Sequence, residues 1–237
     1  MSTNVTHVEE QITQTGLPAA AQRWLRNALP GSYNLPAAIR LEQEGELEVR
    51  GRWTPFKAQG LYQAAPLAFE WQARLQMMPG LGVIAEDGHR DGQGWGGARM
   101  WGIFSLGKKT DPEVLASQLV RNLGELAWLP GLALSSPGLI WTEAGENAFE
   151  VRAHRIRREA VVRFEVTPQG DILRACSPAR PYDVPGGFAE APWCYEFSEH
   201  RAYHQVRLPA RAVATFQKPE GEWEYFRCQV TAVQKNP

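Results

Sequence analysis

The longest regular pattern of apolar residues lies in the middle of the chain, within residues 111–130. Its leucines recur at spacings of four, four and three residues, which places them on one face of an α-helix. They are Leu115, Leu119, Leu123 and Leu126. Asp-Pro opens the segment and Pro-Gly closes it, and both pairs are typical helix boundaries. The pattern therefore predicts a central helix whose apolar face must be buried.

Apolar and polar residues alternate on both sides of this helix, as they do in β-strands with one solvated face. The clearest example is 67–75, where Phe69, Trp71 and Ala73 alternate with polar residues. Further strands are predicted at 39–49, 56–64, 81–89 and 95–106 before the helix, and at 138–141, 148–156, 160–166, 171–176, 193–199, 207–217 and 222–234 after it. A short helix is predicted at 17–29, and the proline- and glycine-rich stretch 180–192 is predicted to be a loop.

This order of elements predicts a mainly β protein (α+β). We expect a single highly curved antiparallel sheet of about ten or eleven strands, because a sheet this long twists and curls. Such a sheet is a half-open β-barrel, and the N-terminal and central helices are expected to pack in its concave face. The polar residues 1–15 are expected to form a flexible segment, and 16–237 a single domain.

Composition narrows the class of protein. The net charge is −1 with both signs interspersed, which does not favour nucleic acid or an anionic membrane as a partner. The N-terminus lacks the basic and apolar regions of a secretion signal, and no apolar run approaches the roughly 18–20 residues of a membrane-spanning helix. Cys176, Cys194 and Cys228 are odd in number and form no CxxC pair, which argues against a disulfide framework and a zinc site. We therefore expect a soluble cytoplasmic protein with reduced thiols.

Two motifs have a plain structural interpretation. The glycine-rich stretch 92–97 lacks the lysine and following helix of a phosphate-binding loop, so a kink or bulge in a curved sheet is favoured. Glu196, His200 and His204 have the spacing of zinc ligands on a helix. The alternation around them instead predicts a strand, in which residues four apart lie roughly 13 Å apart. No metal and no cofactor are therefore expected.

Candidate catalytic groups are scattered. His154 lies among Arg152, Arg155, Arg157 and Arg158, a cluster that suits an anionic headgroup or the basic tip of a hairpin. Ser105 and the serines at 135–136 lack a nucleophile elbow. Glu86, Asp87 and Asp91 lie near His89 in a segment expected to form a turn. No catalytic set stands out.

Aromatic and turn positions resemble an uncharacterised bacterial domain family over most of 16–234. The similarity rests on the stretches GRWTPF at 51–56, FEWQAR at 69–74, and the aromatic and proline positions between 192 and 226. The order of helices and strands also resembles the LolA/LolB lipoprotein-carrier fold, which implies a concave face that holds acyl chains. The chain departs from those carriers because it lacks a signal peptide and a lipobox cysteine.

Three hypotheses for function follow. The first is a binding protein that holds an apolar or amphipathic, lipid-like small molecule between the concave sheet and the central helix, as small-molecule sites are concave and apolar. The residues predicted to line the site are Phe69, Trp71, Trp95, Trp101, Phe104, Leu119, Leu123, Trp141, Trp193 and Tyr195. The second is an enzyme for a lipid-like substrate, with His89, Glu199 or His200 as acid or base. The third is an interaction domain with a filled core.

Overall fold

One antiparallel sheet dominates the computed structural model, which describes residues 6–78, 81–100, 104–153 and 160–237. Within these residues the sheet has 13 strands. They are β3 (Ala38–Val49), β4 (Arg52–Ala64), β5 (Leu67–Met78), β6 (Leu81–Arg90), β7 (Gln93–Met100), β8 (Phe104–Lys109), β9 (Leu139–Glu143), β10 (Ala148–Ala153), β11 (Ala160–Val166), β12 (Ile172–Val184), β13 (Gly187–Tyr203), β14 (Val206–Lys218) and β15 (Gly221–Lys235). Two short strands, β1 (Thr6–His7) and β2 (Ser32–Tyr33), pair separately.

The sheet consists of two meanders. In one meander, β3 to β8 lie side by side in chain order, and in the other, β9 to β15 do the same. The two meanders join where β15 pairs with β3. One end of the sheet curls back towards the other meander, because Lys109 Nζ of β8 lies 2.7 Å from Asp183 Oδ1 of β12. This curvature produces a concave face with alternate residues of each strand pointing into it.

The helices occupy this concave face. They are α1 (Val8–Gln14), α2 (Ala19–Ala28), α3 (Pro112–Gly124) and α4 (Pro130–Ser135), and a 3₁₀ turn at Glu125–Trp128 links α3 to α4. Helix α3 contacts β6 and β7 on one arm of the sheet and β10 to β13 on the other. Within the described residues, none of the helices combines the length and apolar composition needed to cross a membrane.

The predicted fold class, a mainly β protein with one curved antiparallel sheet, is confirmed, but the sheet has more strands than expected. The segment predicted as one strand at 95–106 contributes to two, β7 and β8. The predicted loop at 180–192 is a hairpin of β12 and β13, since backbone pairing continues from Arg180 opposite Ala191 to Val184 opposite Gly187. The prediction also did not include α1, which buries Val8 and Ile12.

The expectation of reduced thiols is wrong for two of the three cysteines. Cys176 on β12 and Cys194 on β13 are directly opposite in the strand register and form a disulfide. Cys228 is free and buried. An odd number of cysteines excludes complete pairing, but the pairing of two depends on strand register, which spacing along the chain does not show.

Candidate functional site

Aromatic rings form a continuous surface on the concave face of the sheet. Phe56 lies 5.8 Å from Trp71 and 5.5 Å from Phe226, measured between ring centroids. Tyr195 lies 6.1 Å from Phe226 and 4.8 Å from Trp193. All five side chains are buried. We call this surface, together with Tyr62 and Phe69, the aromatic floor.

Helix α3 meets the aromatic floor with polar side chains. The predicted apolar face is buried as expected, with Leu119, Leu123 and Leu126 inside the core and Leu115 partly buried against it. A neighbouring face of the same segment is buried as well, and its residues are polar or charged. They are Gln118, Arg121, Asn122 and Glu125.

Arg121 is the centre of this polar face. Its Nε donates to Glu125 Oε1 at 2.8 Å, and its Nη1 donates to Asp87 Oδ2 at 2.7 Å. The guanidinium lies 4.6 Å from the centroid of Trp71 and 5.3 Å from that of Phe69, within range of a cation–π contact. Burial alone would lower the pKa of Arg121, but the adjacent Glu125, Tyr195 and Asp87 groups raise it well above its ordinary value. Arg121 therefore stays charged inside the protein.

Hydrogen-bond donors enclose the Glu125 carboxylate. Its Oε1 accepts hydrogen bonds from Arg121 and from the Tyr195 hydroxyl at 3.2 Å. The buried Tyr62 hydroxyl also hydrogen-bonds to this carboxylate, and that bond contributes to the raised pKa of the phenol. Arg121, Glu125, Tyr62 and Tyr195 together form what we call the polar centre.

Tyr62 and Tyr195 both stay protonated. Burial, followed by the negative charge of Glu125, raises the pKa of each phenol well above 10. Each hydroxyl can therefore donate a hydrogen bond to the Glu125 carboxylate.

A second set of hydrogen bonds fixes the Trp71 ring. Trp71 Nε1 donates to Gln43 Oε1 at 3.0 Å, and Gln43 Nε2 lies 3.7 Å from the Cys228 thiol. Burial raises the pKa of this thiol, which therefore remains protonated. The ring beneath Arg121 is thus held in one orientation.

The junction between α3 and the β6–β7 arm is also polar, and we call it the polar seam. Gln118 Nε2 donates to the Trp95 carbonyl at 3.3 Å, and Asn122 Nδ2 lies 2.8 Å from His89 Nε2. Burial lowers the pKa of His89 to about 4, so the ring is neutral at pH 7 and Nε2 accepts the bond from Asn122. With Arg121 and Asp87, this seam joins the helix to the sheet mainly through hydrogen bonds and an ion pair.

Two clefts open on the surface, each of about 420 Å³. One lies at the start of α3, between Asp111, Glu113 and the 187–190 segment of β13. The other is lined mainly by outward-facing residues of β3 to β7, among them Gln59, Leu61 and Glu70.

The structure brings together six of the ten residues predicted to line a site. Phe69, Trp71, Trp193 and Tyr195 belong to the aromatic floor, and Leu119 and Leu123 are buried on α3. Trp141 is partly buried elsewhere, with its ring 6.4 Å from that of Trp24 on α2. Trp101 and the side chain of Phe104 lie outside the described residues.

Trp95 points away from the concave face, contrary to the prediction. Gly94 faces α3 so closely that a Cβ there would collide with the backbone of Leu115. Since side chains alternate along a strand, Trp95 points outward. There its ring lies over Gly88 of the paired strand, so closely that a Cβ on Gly88 would lie 2.5 Å from the ring. The close approach of a helix thus accounts for glycine at 94, in place of the predicted bulge.

The proposed acid–base residues do not converge. His89 is inside the polar seam, whereas His200 lies beside Asp171 and Arg207, which form an ion pair at 2.8 Å. Glu199 pairs with Arg211 on the surface.

Glu196 and His200 lie on β13, as the alternation predicted, and His204 follows that strand. Among the described residues, no three His, Cys, Asp or Glu side chains are grouped as a metal site requires. Most of the basic cluster around His154 lies outside the described residues.

The sequence interpretation missed the polar centre, although a signal for it exists. Gln118, Arg121 and Glu125 recur at spacings of three and four residues, so they share one face of a helix. Arg121 and Glu125 alone read as an ordinary exposed i, i+4 pair. Only the strands around the helix indicate that residues 118–130 leave no face to solvent.

Solved structures with low sequence identity resemble this chain, whereas a search of curated proteins found no match. Similar solved structures include a LolA superfamily protein from Nitrosomonas europaea, with 10% identity, a TM-score of 0.48, and coverage of 92% of this chain and 93% of that one. A DUF1329 family protein from Desulfovibrio piger is also similar, with 10% identity, a TM-score of 0.49, and coverage of 97% and 93%.

The family model that matches is described as a family of unknown function (DUF6544), and it covers residues 6–228. This match confirms the predicted resemblance to an uncharacterised domain family. Since the model spans nearly the whole sequence, the chain belongs to the DUF6544 family.

Proposed function

We propose that this protein binds an amphipathic small molecule and holds its apolar chain between the aromatic floor and α3. The observation that carries the proposal is the contrast between the two surfaces of this interface. The floor is a broad buried array of aromatic rings, whereas α3 meets it through Arg121 and joins the adjacent arm through the polar seam.

A polar seam can open at small cost. When two apolar surfaces separate, they lose about 25 cal/mol for each Å² exposed to water. When hydrogen-bonded groups separate into water, each neutral bond lost costs about 0.5–1.5 kcal/mol and each bond to a charged group about 1.5–3 kcal/mol, because water replaces the partner. Gln118 and Asn122 make neutral bonds, and Asp87 makes one bond to the charged Arg121. The seam is therefore where α3 parts from the sheet most easily.

The opposite side of α3 rests on β12 and β13 and serves as the pivot. A Cβ on Gly124 would lie 2.9 Å from the Trp193 ring, so the helix backbone rests directly on β13. Ser117 also accepts a hydrogen bond from Arg180 of β12 at 3.1 Å. Opening at the seam with the β12–β13 contact intact exposes Phe69 and Trp71, which are the rings beneath Arg121.

Displacement of a fluorescent fatty-acid probe tests the proposal. Saturated chains of increasing length should displace the probe with rising affinity, by up to about fourfold for each added methylene, since burial of one methylene gains about 0.8 kcal/mol. The protein must remain folded throughout, as followed by circular dichroism.

Variants of matched residue type locate the site. Ala73 is fully buried on β5 beside Trp71, so Ala73→Leu should occupy space on the concave face and weaken binding. Trp71→Ala should enlarge the site and favour bulkier chains. Trp95→Ala removes the same side chain from the outer face and should leave affinity unchanged. Absence of saturable binding at every chain length would refute the proposal and favour a domain with a filled core.

A further inference from the structure

The cleft of about 420 Å³ on β3 to β7 lies on the outer face of the sheet, opposite the aromatic floor, and we call it the outer cleft. Small-molecule sites range from roughly 300 to 1,000 Å³, so a small ligand fits here. Its outward-facing side chains come from two neighbouring rows that run across the strands. The rows are Arg40, Leu61, Glu70 and Trp95, and Gln59, Gln72 and Glu86.

Trp95 forms one wall of the outer cleft. In the strand register it is directly opposite Gly88, which in turn is opposite Glu70 of β5. Because Gly88 has no side chain, the indole ring occupies the space beside the place of a Cβ there. The ring is half-buried, so part of it packs against the sheet and part is open to the cleft. A tryptophan held in this way offers a ligand a rigid apolar surface at a small cost in side-chain entropy.

The carboxylates of the outer cleft are already paired. Glu70 Oε1 lies 2.7 Å from Arg90 Nη2. Glu86 pairs with Arg99 and also accepts a hydrogen bond from Gln72 Nε2 at 2.9 Å. A ligand cation would find both carboxylates occupied, and a ligand anion would approach their negative charge. The outer cleft therefore favours a neutral ligand.

Polar side chains at the other side of the cleft are free to bind such a ligand. Among the described residues, neither Arg40 nor Gln59 has a hydrogen-bond or ion-pair partner. The guanidinium only donates hydrogen bonds, whereas the amide both donates and accepts them. These residues lie on β3 and β4, three to four strands from Trp95, which is roughly 14–19 Å at the spacing of paired strands. A ligand that contacts both sides must therefore extend across the sheet.

We infer that the outer cleft binds a short neutral carbohydrate. A sugar ring has an apolar C–H face, which stacks on the Trp95 indole. Its hydroxyl groups both donate and accept hydrogen bonds, and they bond to Arg40, Gln59 and the free amide oxygen of Gln72. A chain of linked sugars is neutral and extended, as the paired carboxylates and the separation of the two walls require. This inference concerns the outer face and does not depend on the proposed function, which concerns the concave face.

Titration with trisaccharides, followed by ¹⁵N NMR, tests the inference. Cellotriose, maltotriose, mannotriose and chitotriose are the neutral sugars, and trigalacturonate is the acidic one. The Trp95 indole N–H is assigned from its absence in Trp95→Phe. We expect it to shift saturably with at least one neutral sugar, which should bind at least tenfold more tightly than trigalacturonate. No saturable shift at Trp95 with any neutral sugar, or tightest binding of trigalacturonate, would overturn the inference.

Two tryptophan variants provide a matched pair, compared by calorimetry with the sugar that binds best. Trp95→Ala removes the stacking surface and should weaken binding at least tenfold. Trp53 is also half-buried and outward-facing on β4, but the Arg227 guanidinium already covers its ring at 4.0 Å from the centroid. Trp53→Ala should therefore leave the affinity within twofold of the wild type. Wild-type affinity in folded Trp95→Ala would contradict the role given to this ring.

The polar wall is tested in the same way. Gln59→Ala and Arg40→Leu remove side chains without partners, so the free energy of unfolding should hardly change, whereas each should weaken sugar binding about three- to tenfold. Lys57→Ala is the control, since Lys57 faces outward on the same strand but does not line the cleft. Wild-type affinity in both Gln59→Ala and Arg40→Leu would overturn the inference.

Competition separates this site from the concave one. Saturating sugar should not displace the fluorescent fatty-acid probe, and Trp95→Ala should lose sugar binding while it keeps the probe. Displacement of the probe by sugar would place the sugar in the concave site and overturn the inference. Binding of sugar without any binding of the probe would support the inference and refute the proposed function alone.

Discussion

Removal of the Arg121 charge should be among the most damaging single substitutions in the protein. The Arg121 side chain is 7% exposed and pairs with Glu125, which is 1% exposed, and with Asp87, which is 30% exposed. In Arg121→Met the apolar stem remains over Trp71, but the Glu125 carboxylate keeps only neutral partners, the Tyr195 and Tyr62 hydroxyls. The substitution thus leaves a charge buried without its counterion.

The magnitude follows from the burial of Glu125. Breaking a buried ion pair by removing one partner costs about 3–5 kcal/mol, because the remaining charge is still desolvated. Asp87 adds little, since its partial exposure lets water replace the lost contact. The double variant Arg121→Met/Glu125→Leu removes both charges and should recover most of the loss, because apolar replacement of a whole buried pair is often neutral or stabilising by about 1–4 kcal/mol.

Urea unfolding at pH 7, followed by tryptophan fluorescence, gives these free energies. Arg174→Met is the matched control, because Arg174 pairs with Glu196 at 2.9 Å on the surface, with side chains 46% and 58% exposed. It should cost less than about 1 kcal/mol. The reasoning fails if Arg121→Met costs no more than this control, or if the double variant is no more stable than the single one.

Three further predictions concern the core, the polar seam and the cysteines. Leu119→Ala should lower the free energy of unfolding by about 2–5 kcal/mol, and a loss below about 1 kcal/mol would mean that α3 is a loose lid. His89 has a pKa of about 4 in the folded protein, so the unfolded state binds the proton first as the pH falls below 6.5. The free energy of unfolding of the wild type should therefore fall by about 3 kcal/mol between pH 6.5 and 4, relative to that of His89→Gln. Parallel curves of stability against pH for the two proteins would contradict this. Alkylation of the protein denatured without reductant should label one cysteine, Cys228, and alkylation after reduction should label three, as counted by mass spectrometry; three labels without reductant would contradict the disulfide.

The parts of the fold that alternation encodes could be read from the sequence. Strands such as β5 have one apolar and one polar face, so residues 67–75 predict both the strand and the burial of Phe69 and Trp71. The end of the β12–β13 hairpin was not predicted, because the Pro and Gly residues near its turn resemble a loop, although the backbone pairing continues through them. The Cys176–Cys194 disulfide was not predicted for a related reason, since only the register of β12 against β13 brings the two cysteines together.

The candidate site was predicted in its apolar part and missed in its polar part. Aromatic residues on inward strand positions identify a concave surface without reference to any partner element. The burial of Arg121 and Glu125 depends on how closely the two arms of the sheet enclose α3, which is a tertiary property. The same closeness turned Trp95 outward, because the inward positions beside it had to be glycine for the helix to fit.

Methyl NMR of the protein titrated with decan-1-ol tests the central claim most directly, because it reports which surface the apolar chain touches. We predict saturable shifts of the Leu119 and Leu123 methyl groups, which are buried on α3, and of the Trp71 indole N–H. Leu173 is 43% exposed on β12 and should not shift. Shifts confined to exposed methyl groups such as that of Leu173, or no saturable shift at Leu119, Leu123 and Trp71, would contradict a ligand site between α3 and the sheet.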